Sequence, residues 1–203
     1  MAALFIPVLS CFVAATSSER LWSRHQVLDH DSQFTLSWNP RLDAEGYFHF
    51  NLKAITKGYV GFGLSDTGTM AGADLVVAWP EKSGNATVLD MYASQNGLPR
   101  QDAHNDWHLK GSAFNRKTGV FQVSLARKIA AYDDKDLPIH EGPVLIIYSW
   151  GKTRALEHHG TNRRGAVKIN LLQLANHSGL MKKKPSTFEV LFFSIFVSKI
   201  IFN

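Results

Sequence analysis

Four groups of side chains in this 203-residue sequence have types and spacings that could carry chemistry. Met70 sits alone in a loop of small and polar residues, SDTGTMAGAD, between the apolar runs GYVGFGL and LVVAW. A thioether is a soft, neutral metal ligand, and it is equally a flexible filler of irregular gaps. His158 and His159 adjoin in EHHGTNRRG, with Arg163 and Arg164 just after them. Imidazole ligates metals and guanidinium pairs with carboxylates, although a histidine pair in a turn can also be simply solvated. Asp66 and Asp74 flank the Met70 loop. As hard oxygen donors they could hold Ca²⁺ or Na⁺ together with backbone carbonyls; Asp66 also fits the role of a turn cap. Asp102, His104, Asp106 and His108 alternate with other residues, and on a strand that spacing would put all four on one face, where they could chelate a divalent metal. The same segment also reads as an exposed edge approach. The acidic run Asp133, Asp134, Asp136 reads as a solvated turn. No nucleophile elbow, phosphate loop or HExxH motif is present.

The elements that must position these groups are short and β-like. Alternating or β-branched and aromatic-rich runs occupy Phe34 to Asn39, Tyr47 to Ile55, Tyr59 to Leu64, Ala73 to Trp79, Thr87 to Tyr92, Trp107 to Lys110, Gly119 to Leu125, Val144 to Trp150 and Ala166 to Leu172. Turn signals such as Ser83-Gly84-Asn85 and Asn96-Gly97 separate them. Helical periodicity is nearly absent; Arg127 to Tyr132 is the one place where a helical turn is expected. Nine or more short strands of this kind predict an all-β, immunoglobulin-like antiparallel sandwich.

Composition is that of a globular protein, 45% hydrophobic and 19% charged, with room for one ordinary core. Residues 1–18 have an apolar run and end in small residues, the shape of a secretory signal peptide cleaved around Ala15 to Ser18. The single cysteine, Cys11, lies inside it, so the mature chain is expected to lack disulfides and thiol chemistry. Sequons at Asn85 and Asn176 fit a secreted or cell-surface glycoprotein. Of the net charge of +5, Lys182, Lys183, Lys184 and Lys199 against Glu189 supply +3, leaving +2 for the rest. The body therefore has no basic stripe, and nucleic-acid binding is not expected. Residues 175–203 read as a basic linker and a short apolar tail. The tail matches a glycolipid-anchor signal in outline, or is a truncated terminus; any membrane contact is expected only through it.

Three segments, FTLSWN at Phe34, GYVGFGLSDTGTMAGADLVVAW at Gly58 and VLIIYSWG with EHHGTNRRGAVKINLL, resemble the DOMON domain over residues 30–174. This is the N-terminal sandwich of dopamine β-monooxygenase and its monooxygenase-like relatives, and it also serves as a cytochrome domain in redox proteins. The cytochrome versions imply haem b held by one Met and one His, which would fall here on Met70 and on His159 or its neighbour His158. The resemblance further implies that Arg163 and Arg164 could meet the propionates. Met70 then has two readings, an axial ligand or an inherited plug of an empty pocket. Met and His together fill both axial positions and suit electron transfer better than oxygenation. The copper domains of the monooxygenases have no counterpart here, so neither copper nor hydroxylase activity is expected. A ligand-binding module is expected, or else a non-catalytic interaction domain for another redox protein or monooxygenase.

Overall fold

In a computed structural model, residues 22–172 are described, and they fold into eleven strands and no helix. The strands are β1 (Arg24–Val27), β2 (Phe34–Trp38), β3 (Tyr47–Ile55), β4 (Val60–Leu64), β5 (Ala73–Pro80), β6 (Ala86–Ala93), β7 (Arg100–Gln101), β8 (His108–Asn115), β9 (Val120–Lys128), β10 (Pro143–Trp150) and β11 (Arg164–Asn170). They form a sandwich of two antiparallel sheets, one ordered β1-β2-β3-β9-β8 and the other β11-β10-β4-β5-β6-β7. The expected signal peptide, the sequon at Asn176 and the basic tail lie outside the described residues.

Period-two alternation builds the core. Phe48, Phe50 and Leu52 of β3 and Phe121, Val123 and Leu125 of β9 point inward from the first sheet. They meet Val60, Phe62 and Leu64 of β4, Val76 and Ala78 of β5, and Ile146 and Tyr148 of β10. The intervening residues of the first sheet are polar on its outer face, as in the network where Gln122 Nε2 and Ser124 Oγ both donate to Asn51 Oδ1 at 3.0 Å.

The second sheet is different. Its outer face is also apolar: Ala73, Leu75 and Val77 of β5, Met91 and Ala93 of β6, Ile147 of β10 and Tyr59 form a separate buried cluster. This explains why β5 after Asp74 reads as an unbroken apolar run, LVVAWP, instead of an alternating one. A sheet buried on both faces needs a second cover. Here loops supply it.

Two local expectations are overturned. Arg127 to Tyr132 does not form a helical turn: β9 continues to Lys128, because Arg127 is needed inside the sandwich, and the chain then bends. Asp102, His104, Asp106 and His108 do not share a strand face, because β7 ends at Gln101 and β8 starts at His108. The residues between run irregularly so that Trp107 can enter the core.

A candidate ligand cavity on the outer face of the second sheet

The covering loops do not close fully over the outer face. They leave a cavity of about 800 Å³, within the size range of small-molecule and cofactor sites. Leu75, Val77 and Ile147 form its floor, and Gly61 of β4 keeps the floor flat at its centre. A Cβ at position 61 would come within 2.8 Å of Ser149 Oγ, so a larger residue there would have to displace that hydroxyl.

Three loops make the walls. The β4–β5 loop brings Gly68, Thr69 and Met70; the β6–β7 turn brings Asn96 to Pro99; the β10–β11 loop brings Leu156, His158 and His159. Gly68 and Gly72 bracket Met70 with φ of +76° and +74°, backbone angles that favour glycine. Ser65 Oγ ties this loop down, accepting from Gly68 N–H at 3.0 Å and donating to the Thr69 carbonyl at 2.7 Å. The Met70 side chain packs against the Leu75 and Val77 cluster and is half-buried. Across the cavity, Tyr59 fixes the opposite loop by donating its hydroxyl to the Glu157 carbonyl at 3.0 Å.

His159 has a defined hydrogen-bond state. Its Nδ1 lies 3.0 Å from the Gly160 carbonyl, which can only accept, so Nδ1 carries the proton and Nε2 keeps a lone pair. Burial lowers its affinity for a second proton, and the nearby charges of Arg164, His158 and Arg163 act in the same direction against the Gly160 carbonyl. A neutral imidazole with a free Nε2 is the form that ligates a metal. His158 is more exposed, stacks on His159 with centroids 5.2 Å apart, and uses its Nδ1 to accept from Gly160 N–H at 3.1 Å.

Met70, His158, His159 and Arg164 thus line one cavity. Arg163 does not line the cavity; its charge favours ionisation of the Tyr59 hydroxyl, which burial suppresses. The Arg163 backbone carbonyl accepts from Trp150 N–H at 3.0 Å, and its Nε is buried without a hydrogen-bond partner. Asn85 is exposed in the turn between β5 and β6.

Asp66 and Asp74 do not act as a pair. Asp66 is exposed on the loop, whereas Asp74 points into the sandwich. Its Oδ2 accepts from Arg127 Nη1 and, at 2.9 Å, from Leu137 N–H, and its Oδ1 lies 3.5 Å from Trp107 Nε1. Both carboxylate oxygens are thereby engaged by protein donors. The apolar floor and the Asn96 to Pro99 wall were not anticipated from the sequence, although the unbroken run in β5 was the available signal.

A donor set of one thioether and one neutral imidazole from separate loops, above an apolar floor and with a guanidinium at its edge, fits a flat, iron-bearing, carboxylate-carrying group. The residues present match that chemistry.

The protein is 30% identical over 176 residues to DBH-like monooxygenase protein 1 of Homo sapiens, a match covering 85% of this chain and 28% of that protein. It is 27% identical over 194 residues to the dopamine beta-hydroxylase of Bos taurus, covering 93% of this chain and 31% of that protein. The chain therefore spans under a third of the length of these relatives. Among solved structures, the cytochrome domain of Myriococcum thermophilum cellobiose dehydrogenase is similar, with TM-score 0.57 at 19% identity, covering 72% of this chain and 81% of that one. The cytochrome b domain of pyranose dehydrogenase from Coprinopsis cinerea is similar too, with TM-score 0.54 at 12% identity, covering 72% and 80%. The DOMON domain matches residues 30–151, more than half of the sequence, and the chain belongs to that family.

Proposed function

We propose that this DOMON domain is a ligand-binding module, secreted or held at the cell surface, whose ligand is haem b, and that it works in electron transfer and not in hydroxylation. The observation that carries the reading is that Met70 and His159, on loops far apart in sequence, line the same apolar cavity. The likeness of the fold to two domains named as cytochrome domains supports it. Met70 and His159 Nε2 would hold the iron, and Arg164 would meet a propionate. Bound in this way, the group would supply one-electron transfer. The protein's own contribution is an apolar floor, loops that carry Met70 and His159, and a neutral His159. The apolar lead segment and the Asn85 sequon support a secretory route, and the redox partner would be another secreted electron-transfer protein or a monooxygenase.

Protein made in a eukaryotic secretory host and supplied with haem should show a six-coordinate low-spin spectrum with sharp α and β bands on reduction. Met70→Leu conserves volume and should keep the fold, at a cost under about 1.5 kcal/mol, while abolishing the low-spin signature. An unchanged spectrum in both Met70→Leu and His159→Ala would refute the assignment. A second reading is favoured by the packing of Met70 against Leu75 and Val77: the methionine fills a pocket that takes a small apolar ligand, and the domain serves as an interaction module. A colourless protein that binds a hydrophobic dye in the cavity would favour that reading.

A further inference from the structure

A second constellation lies apart from the cavity. Asp102 and His104 come from the connection between β7 and β8, and Asp133 from the loop between β9 and β10. One ligand atom of each lies within 4.8 Å of the others. We propose that Asp102, His104 and Asp133 form a surface site for a divalent transition-metal ion, with Zn²⁺ as the reference ion, that clamps these two connections together.

The arrangement is built by local structure. Asp102 Oδ1 accepts from His104 N–H at 3.1 Å, a turn that folds both side chains to the same side. The His104 ring lies against Tyr132, with centroids 5.0 Å apart, which limits its rotation. Asp133 is held from the other side: its Oδ1 accepts from Lys135 N–H at 2.7 Å, leaving Oδ2 towards His104 Nδ1 at 3.2 Å. Asp136 Oδ2 accepts from the N–H groups of Tyr132 and Asp133 at 2.7 and 3.1 Å and fixes the loop that carries Asp133.

The electrostatics favour a dication. Asp102, Asp106, Asp133, Asp134 and Asp136 gather here, while Lys135 Nζ is turned to Asp134 Oδ2 at 2.5 Å and Arg127 is occupied by Asp74. A bound ion would take the place of the proton between His104 Nδ1 and Asp133 Oδ2. An imidazole among the ligands selects Zn²⁺ and its transition-metal neighbours over Ca²⁺ and Mg²⁺, and three protein ligands leave room for water at the remaining position. The site draws on no residue of the cavity and stands whatever ligand the cavity takes.

The test is a titration of chelator-treated full-length protein with ZnCl₂, followed by calorimetry and by thermal unfolding. Binding of one equivalent with a rise in Tm is expected in the wild type, with affinity reduced about tenfold or more in His104→Ala and in Asp133→Asn. Both positions are near the surface, so these variants should fold normally, and their unfolding curves without metal report it directly. The His158→Ala/His159→Ala double variant should bind as the wild type does. Absence of saturable binding, wild-type affinity in His104→Ala, or loss of binding only in the His158/His159 variant would each overturn the proposal.

Discussion

The backbone N–H of Asp106 donates to Asp90 Oδ2 at 2.7 Å, and the two carboxyl groups belong to one acidic layer under β5 and β6. Burial pushes Asp90 up to about 7, helped by the charges of Asp74, Asp136 and Asp106 and resisted by that hydrogen bond. Burial and a hydrogen bond with Asp136 push Asp106 up to about 6. Both groups take up a proton more readily folded than unfolded. Their contribution to stability is therefore complete below about 4 and is lost progressively as pH rises from there through the folded values of about 6 and 7.

Asp43 works in the opposite sense. Burial would raise it, but His49 Nε2 at 2.5 Å and the N–H groups of Tyr47 and Glu45 hold it down to about 2. Its contribution is present above about 4 and is lost as pH falls towards 2. Thermal unfolding should therefore show a Tm maximum at about pH 4, with a decline as pH rises towards about 7. Asp90→Asn imitates the protonated acid, so it should raise Tm at pH 8 by a few degrees, the shift expected of about 1 kcal/mol, and flatten the alkaline side of the curve. A Tm that increases steadily from pH 5 to pH 8 would contradict this account.

The ion pair between Asp74 and Arg127 bridges the two sheets inside the sandwich, and both side chains are only 1% exposed. Arg127 also lies over the Trp107 ring, 5.1 Å from its centroid. Removing one partner strands the other in a medium where a lone charge is costly. Arg127→Met should destabilise the domain by about 3–5 kcal/mol. Restoring neutrality with Asp74→Asn in the same chain should recover part of the loss. Urea unfolding of the single and double variants measures both numbers, and additive losses would show that the pair does not act as a unit.

How far the sequence reveals this molecule depends on where each residue's surroundings come from. β2, β3, β4 and β10 have strong aromatic and β-branched content, and their period-two pattern is set by the core they face. β1 and β7 were invisible, because RHQV and RQ are short polar segments whose extended form comes from pairing with β2 and β6. β8 was read only at its start, since the irregularity between Leu109 and Gly111 interrupts its alternation. In the site, Met70 and His159 were conspicuous by residue type. The layer of Asp74, Asp90, Asp106 and Arg127 was not, because carboxylates and guanidinium groups are ordinarily solvated and nothing local marks them as buried.

Ala166 offers a way to block the cavity without touching its ligands. It is exposed on β11, next to Ile147 in the strand pairing, and lines the cavity beside Arg164. Its side chain points away from the sandwich core, so a larger group there enters the cavity and not the packed interior. Ala166→Trp should change unfolding stability by no more than about 0.5 kcal/mol, because no core contact is lost. It should lower haem affinity at least tenfold, since the indole would occupy volume between the floor at Ile147 and the rim at Arg164. Equilibrium titration with haem, read by absorbance beside a thermal melt of the same sample, separates the two effects. Undiminished affinity in a folded Ala166→Trp variant would mean that the ligand binds elsewhere on the domain.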